Sequence, residues 1–357
     1  MSEIGLAKEQ LDTPTLWVDL DIMENNIATL AQHFEAANVQ WRPHMKGVRI
    51  PGIAHKALMA GAIGVTCSTI KEAEVMAKAG ITNILIANQV VGSRKLTRLV
   101  NLCKYADIKV IVDNEANVAE LSAAVCARGV EVGVLIDMDT GMQRTGLLAG
   151  DAVVNLSQLV HETSGLNFLG MMAWEGHTLG HNDPEIKRQE IIKSVAQLTE
   201  MADRCRAAGL PVSIVSGGGS GTYKVTPFVK GMTEIQAGGA IFSDVAYQSW
   251  DVETTPSLFV QTIVSSRPAP DRIIFDAGFK TMPTWHAQPR AIGIEGVKSH
   301  IASAEHGIIS LDKANNSVKV GDIFDFMVGY TDSTLFLYDK LYGIRDGVVE
   351  VVWDILV

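Results

Sequence analysis

The sequence predicts a closed parallel (β/α)8 barrel followed by a second, mostly β domain. Two observations carry that expectation. After residue 38, short β-branched apolar runs alternate with amphipathic helical stretches, and eight such runs fit into about 200 residues. From about residue 256 the helical periodicity stops, and short alternating runs divided by turn residues replace it.

An apolar run at 16–20 precedes the first helical stretch, 21–36, and lies outside the barrel. The eight barrel runs are 39–44, 63–68, 83–88, 108–113, 131–138, 167–175, 211–216 and 233–238. Helical spacing of apolar residues covers 51–62, 70–80 and 114–129, with Gly80, Gly129 and Gly209 as stops. An open doubly wound sheet shows the same alternation, and the count of eight favours closure. Beyond the barrel, strands are expected at 258–265, 272–275, 291–293, 317–320, 323–327 and 348–352. Turn signals at Pro268-Ala269-Pro270, Asn315-Asn316 and Asp346-Gly347 separate them. The domains are therefore expected at 21–250 for the barrel and at 1–20 plus 251–357 for the β-rich part.

Composition narrows the partners. Apolar residues make up 47% and charged residues 20% of 357, as in a globular protein of enzyme size. A net charge of −10 without a basic run argues against nucleic acid. No stretch nears the roughly 20 apolar residues of a membrane span, and residues 1–12 lack an apolar secretory region, so a cytoplasmic protein is expected. Cys67, Cys103, Cys126 and Cys205 show no CxxC spacing and read as reduced structural thiols.

In a parallel barrel the chemistry gathers at the C-terminal ends of the strands. Those ends carry Lys46, Ser68-Thr69, Asn88, Asp113-Asn114, the loop 139–144, Glu175 to His177, and Ser216 to Ser220. The run Ser216-Gly217-Gly218-Gly219-Ser220 lets backbone N–H groups approach an anion closely, and Thr222 adds a hydroxyl, which together suggest a phosphate; a flexible loop is the alternative. Lys46 ends the stretch Trp41-Arg42-Pro43-His44-Met45-Lys46. A strand-end lysine sharing a mouth with a phosphate loop suggests a Schiff base with pyridoxal phosphate, although spacing alone fits a surface lysine equally well. The loop Asp139-Thr140-Gly141-Met142-Gln143-Arg144 offers a fixed cation for a phenolate or carboxylate, or else a turn capped by Asp139.

Taken together, RPHMK at 42–46, the run 64–92, DTGMQRTG at 139–146, WEGHT at 174–178, SGGGSGTY at 216–223, DAGFK at 276–280, EHG at 305–307 and YGIRDGVVE at 342–350 resemble the D-threonine aldolase and D-serine dehydratase group of pyridoxal-phosphate enzymes. These share an alanine-racemase-like fold, and the resemblance runs from about residue 13 to 353. It implies that Lys46 carries the cofactor and that Ser216, Gly217, Gly218, Gly219, Ser220, Thr222 and Tyr223 cradle its phosphate. It also implies Gln236, Gly238 and Gly239 at the phosphate end, Arg144 beside the cofactor ring, and Glu175 and His177 on the substrate side. A homodimer acting on a small D-amino acid is implied as well.

The sequence departs from that pattern twice. Val48 stands where the family usually has a histidine two positions after the lysine. Near the C-terminus the family has a PGHCDPT-like motif for a divalent ion; here the stretch is Tyr330-Thr331-Asp332-Ser333-Thr334, which keeps Asp332 and replaces the histidine by tyrosine. Three readings follow. An ion such as Mg²⁺ or Mn²⁺ binds through Asp332, waters and substrate; or Tyr330 acts as acid or base, its pKa lowered by a cationic pocket; or Tyr330 fills the vacated space. The expected activity is retro-aldol cleavage of a D-β-hydroxy-α-amino acid of the D-threonine or D-3-hydroxyaspartate type, with Lys46, His177 and Tyr330 as catalytic residues. The alternatives are dehydration or metal-independent racemisation on the same scaffold, and a cofactor-binding protein that has lost catalysis.

Overall fold

The chain opens with a strand, Thr15–Asp19 (β1), and a helix, Leu20–Ala36 (α1). The barrel follows, in a computed structural model that describes residues 3–355. Its strands are Gln40–Trp41 (β2), Val65–Cys67 (β3), Asn83–Gln89 (β4), Asp107–Val112 (β5), Val132–Asp139 (β6), a two-residue addition Leu147–Leu148 (β7), Leu166–Ala173 (β8), Ile214–Gly217 (β9) and Glu234–Ile235 (β10). Parallel pairing runs in the order β2-β10-β9-β8-β6-β5-β4-β3, with β7 beside β6. The Thr66 N–H donates to Pro43 O at 2.9 Å, and a parallel bridge joins His44 to Thr66, so β3 meets β2 and the ring closes. Each of the eight expected runs holds one strand of the ring.

Contact density divides the chain into two units. The barrel unit comprises Leu30–Lys46 and Pro51–Gly238, and the other described residues, including the short stretch Gly47–Ile50, form the second.

Alternation along each strand puts every second side chain inside the ring. This stacks three layers. Leu85, Ile111, Leu135 and Met172 form an apolar waist. Two residues towards the strand ends lie Asp113, Asp137 and Trp174, at the mouth. At the other end Arg42, Asn83, Lys109 and Glu234 make a polar floor. Arg42 is 1% exposed and donates to Glu234 from Nε at 2.9 Å and from Nη2 at 3.0 Å, while Nη1 reaches Asn83 Oδ1 at 2.6 Å. The fork thus ties β2, β10 and β4 across the seam.

The barrel helices begin where short polar side chains can take orphan N–H groups. Thr69 caps Ile70–Lys78 by accepting from Glu72 N, and Asn114 caps Glu115–Cys126 by accepting from Asn117 N at 2.8 Å. Asp183 caps Pro184–Ala207, with proline in the first turn. Two of the polar strand ends, Thr69 and Asn114, are therefore occupied in starting helices.

In the second unit β1 lies between Leu258–Ala269 (β11), antiparallel to it, and Lys340–Arg345 (β17), parallel to it. The other strands are Arg272–Phe275 (β12), Arg290–Ala291 (β13), Val297–Ala302 (β14), Gly307–Leu311 (β15), Ile323–Met327 (β16) and Val348–Asp354 (β18). Trp17 stacks on Phe259 with ring centroids 4.8 Å apart, in a core that includes Leu11, Met327, Tyr342 and Val349. The strand expected at 317–320 does not form. Asn315 Oδ1 accepts from the N–H groups of Ser317 and Val318, an Asx turn that bends this stretch away from any ladder. Sequence periodicity missed β14, β15 and β17.

Replacing Arg42 by Met leaves the Glu234 carboxylate buried without its cation. The expected loss is about 3–5 kcal/mol of unfolding free energy, read by chemical denaturation, because breaking a buried pair strands the remaining charge.

Candidate active site

β2 is followed by a tight turn, Met45–Gly47, that holds Lys46 at the barrel mouth. The Lys46 N–H donates to His44 Nδ1 at 3.3 Å. The His44 ring is held well below the ordinary histidine range, first by burial and then by the charges of Lys46 and Arg144. His44 is therefore a neutral imidazole, and Lys46 and Arg144 belong to one electrostatic neighbourhood. Across the seam, a Cβ on Gly238 would collide with the His44 backbone, so only glycine lets these segments approach so closely.

Arg144 is exposed on a loop whose bend is set by Asp139: Oδ1 accepts from Gly141 N at 2.9 Å and Gln143 N at 3.0 Å. The turn reading of Asp139 thus holds. Beneath the loop, Gln89 Nε2 donates to Asp113 Oδ2 at 3.0 Å and to Asp137 Oδ2 at 2.8 Å, and Gly146 N donates to Asp113 Oδ2 at 3.2 Å. Burial pushes the Asp137 carboxyl up, against hydrogen bonds from Thr145 and Gln89. Sequence reasoning passed over His44 and Asp137. The signal for Asp137 was present, since it is a carboxylate at an inward position two residues after Leu135 in a β-branched run.

The glycine run leaves β9 and turns at Gly218, whose φ of +70° suits a residue without a Cβ. A Cβ on Gly219 would come within 2.5 Å of the Trp174 ring, so the backbone packs directly on that indole. Ser216 is buried and accepts from Gln236 Nε2 at 2.8 Å. Ser220, Thr222 and Tyr223 are buried, and the Tyr223 carbonyl meets His33 Nε2 at 2.9 Å. Glu175, expected on the substrate side, is 1% exposed and hydrogen-bonded to the loop instead: its Oε1 accepts from Thr222 Oγ1 at 2.7 Å and Thr226 Oγ1 at 2.5 Å. His177 packs on Gly141 and places Nε2 3.2 Å from Ser194 Oγ, while its buried Nδ1 has no hydrogen-bond partner among the described residues. A lysine, an arginine and a hydroxyl-lined glycine cradle at one barrel mouth fit a group bearing an aldehyde and a phosphate.

In the second unit, Tyr330 is 7% exposed and ringed by aromatic groups: His286 at 4.9 Å, Trp285 at 5.7 Å, and Trp250 and Tyr247 at 5.8 Å between centroids. Its phenol is pushed up, not down, by burial first and then by the Asp332 charge, which reverses the expected lowering. Asp244 holds the adjoining turn: Oδ1 accepts from Tyr247 N at 2.8 Å, and Oδ2 accepts from Thr331 N and Oγ1, each at 2.7 Å. Burial raises the Asp244 carboxyl to about 7. A Cβ on Gly47 would strike the Asp332 carboxylate, so these two segments of the unit pack closely. A protonated phenol beside one carboxylate is a poor donor set for a divalent ion, and no group of three His, Cys, Asp or Glu side chains is arranged for one among the described residues. His306, a further candidate, is exposed, and its carbonyl accepts from Ser303 N at 2.9 Å in a turn. No described helix is long and apolar enough to cross a membrane.

Comparisons with known proteins agree with this geometry. The family model described as alanine racemase, N-terminal domain, matches residues 18–245, and a serine dehydratase domain model matches 257–344. A D-threonine aldolase of an Arthrobacter species is 34% identical over 97% of this chain and 92% of its own length. A 3-hydroxy-D-aspartate aldolase of Paracoccus denitrificans is 31% identical over 98% of this chain and 93% of its own. The crystal structure of a D-threonine aldolase from Filomicrobium marinum superposes with a TM-score of 0.95 at 32% identity, covering 99% of this chain and 98% of that one.

The neutral state of His44 sets a pH dependence. The unfolded chain protonates this residue near pH 6.5, whereas the folded ring resists the proton, so its contribution is complete above 6.5 and is lost as pH falls below that value. Cofactor-free His44→Asn, which keeps an acceptor for Lys46 N–H, should show a shallower fall in thermal midpoint between pH 6.5 and about 5 than the unsubstituted protein. Equal slopes in the two proteins would remove His44 as the cause.

Proposed function

We propose, for a chain that belongs to the alanine-racemase-fold family of D-threonine aldolases and D-serine dehydratase-like enzymes, retro-aldol cleavage of a D-β-hydroxy-α-amino acid to glycine, or a related small amino acid, and an aldehyde. The observation that carries this is the likeness, over nearly the whole chain, to two aldolases of such substrates. The family implies pyridoxal phosphate, which when bound supplies an electron sink for the pair left on Cα as the Cα–Cβ bond breaks.

The chain's residues then divide the work. Lys46 Nζ is the amine that holds the cofactor. Ser216 to Ser220, with Thr222, Tyr223, Gln236 and Gly238, form the phosphate end, and Arg144 steadies an anionic oxygen beside the ring. His177 takes the β-hydroxyl proton, its ring steadied by Nε2, which lies 3.2 Å from Ser194 Oγ. Tyr330, its phenol held protonated, serves as a hydrogen-bond donor and not as a base. No step is routed through a metal ion, since Tyr330 and Asp332 make a poor site for one. A homodimer in the cytoplasm is part of the same reading.

A second reading is dehydration of the same substrate class, favoured by the serine dehydratase model over residues 257–344. Product analysis separates them: glycine and an aldehyde support cleavage, whereas a 2-oxo acid and ammonia support dehydration.

Lys46→Ala should lose the visible absorbance of the cofactor-loaded protein together with all turnover, and borohydride should label Lys46 in the unsubstituted protein. His177→Ala should lower kcat by about 10²–10⁴-fold while cofactor absorbance persists. Exhaustive chelation should leave the rate within about two-fold; a loss restored by Mg²⁺ or Mn²⁺ would instead assign Asp332 as an ion ligand.

A further inference from the structure

The glycine loop is braced from behind by a buried carboxylate to which the reaction assigns no task. Glu175 leaves β8 next to Trp174, and its carbonyl is fixed by Thr178 N at 3.1 Å and Thr178 Oγ1 at 2.7 Å. Its carboxylate oxygen Oε1 takes two hydroxyls at once, Thr222 Oγ1 at 2.7 Å and Thr226 Oγ1 at 2.5 Å. A threonine hydroxyl has one hydrogen. The other acceptor near Thr222 is Gly219 O at 3.4 Å, so the shorter, charge-assisted bond to Glu175 claims it. With its hydrogen committed, Thr222 Oγ1 presents a lone pair to the loop and accepts from Gly219 N at 3.1 Å. Thr222 N closes on Gly219 O and Thr226 N on Thr222 O, each at 3.1 Å. Glu175, Thr222, Thr226 and Gly219 thus form one network in which both threonine hydroxyls donate to the carboxylate and Gly219 N donates to Thr222 Oγ1.

We propose that Glu175 is a positioning residue for cofactor phosphate: acting through Thr222 and Thr226, it holds residues 217–226 in their anion-binding shape, and Thr222 contributes as a strut and not as a phosphate donor. The proposal rests on the reading above that this loop receives the phosphate of pyridoxal phosphate. Glycine-rich backbone has the most conformational freedom to lose on ordering, so an anion cradle built from it needs an external brace to be pre-shaped. Two hydroxyls converging on one oxygen need an acceptor with two lone pairs there, which a carboxylate and an amide oxygen both supply. Acceptor geometry, not negative charge, is then the requirement.

The test titrates pyridoxal phosphate and pyridoxal, which lacks the phosphate, into cofactor-free protein. The ratio of the two dissociation constants reads the phosphate contribution alone. Thr222→Val and Glu175→Ala should reduce that ratio by about 10-fold or more, the scale of a lost charge-assisted hydrogen bond, with pyridoxal affinity unchanged. Thr222→Ser and Glu175→Gln should keep the ratio within about three-fold of the unsubstituted protein. The ³¹P shift of bound pyridoxal phosphate should move in Thr222→Val and not in Thr222→Ser. Should Glu175→Ala fail to fold, the two Thr222 variants decide alone. An unchanged ratio in Thr222→Val overturns the bracing role while leaving the cofactor reading intact. An unsubstituted protein that binds pyridoxal phosphate no better than pyridoxal overturns the phosphate reading, and this inference with it.

Discussion

Everything at the barrel mouth depends on a seam that the ladder alone closes poorly. β2 has two residues and β10 two, so few main-chain bonds join the end of the ring to its beginning. The deficit is met by side chains: the buried Arg42 fork on Glu234 and Asn83 below, and the Trp41 Nε1–H donated to Ala237 O at 2.8 Å above. Gly238 then lets the chain after β10 lie directly on the His44 backbone. Lys46 follows two residues later, so its placement is a consequence of how the seam is packed.

A second constraint is the cost of charge in confined space. The same desolvation that keeps His44 neutral raises the Asp137 carboxyl and holds the Tyr330 phenol protonated. These groups act as donors and acceptors of fixed direction, and exposed Lys46 and Arg144 carry the positive charge of the barrel mouth. Tyr330 illustrates how far this departs from reading side-chain types alone. A tyrosine in a cationic pocket would lose its proton more easily; this one is packed among four aromatic rings beside Asp332, and both effects act the other way.

Much of the fold and several site residues were legible in the linear chain. Short β-branched apolar runs located all eight barrel strands, because a strand buried on both faces reads as a near-continuous apolar stretch. Triple glycine at Ser216 to Ser220 was legible as residue type, and in the fold the close approach of Gly219 to Trp174 leaves no room for a side chain there. What escaped notice were groups whose role depends on direction. The family resemblance put Glu175 on the substrate side, and only the convergence of Thr222 and Thr226 on one of its oxygens shows that it looks inward. The 317–320 run had strand-like composition, yet Asn315 captured its N–H groups locally.

The sequence by itself determined the architecture and the chemical inventory: a parallel ring, a following β-rich part, a strand-end lysine, a glycine cradle, and the replacement of a family histidine by Tyr330. The ring, the β-rich part, the lysine and the glycines follow from periodicity and residue type, which are local properties, and the replaced histidine from the family resemblance. Tertiary structure alone decided which of those groups are charged and where each hydrogen bond points, because burial and partner geometry arise only when distant segments meet. Arg42 with Glu234, Glu175 with Thr226, and Gly47 against Asp332 are separated by 192, 51 and 285 positions in the chain, and each pairing is a product of the fold.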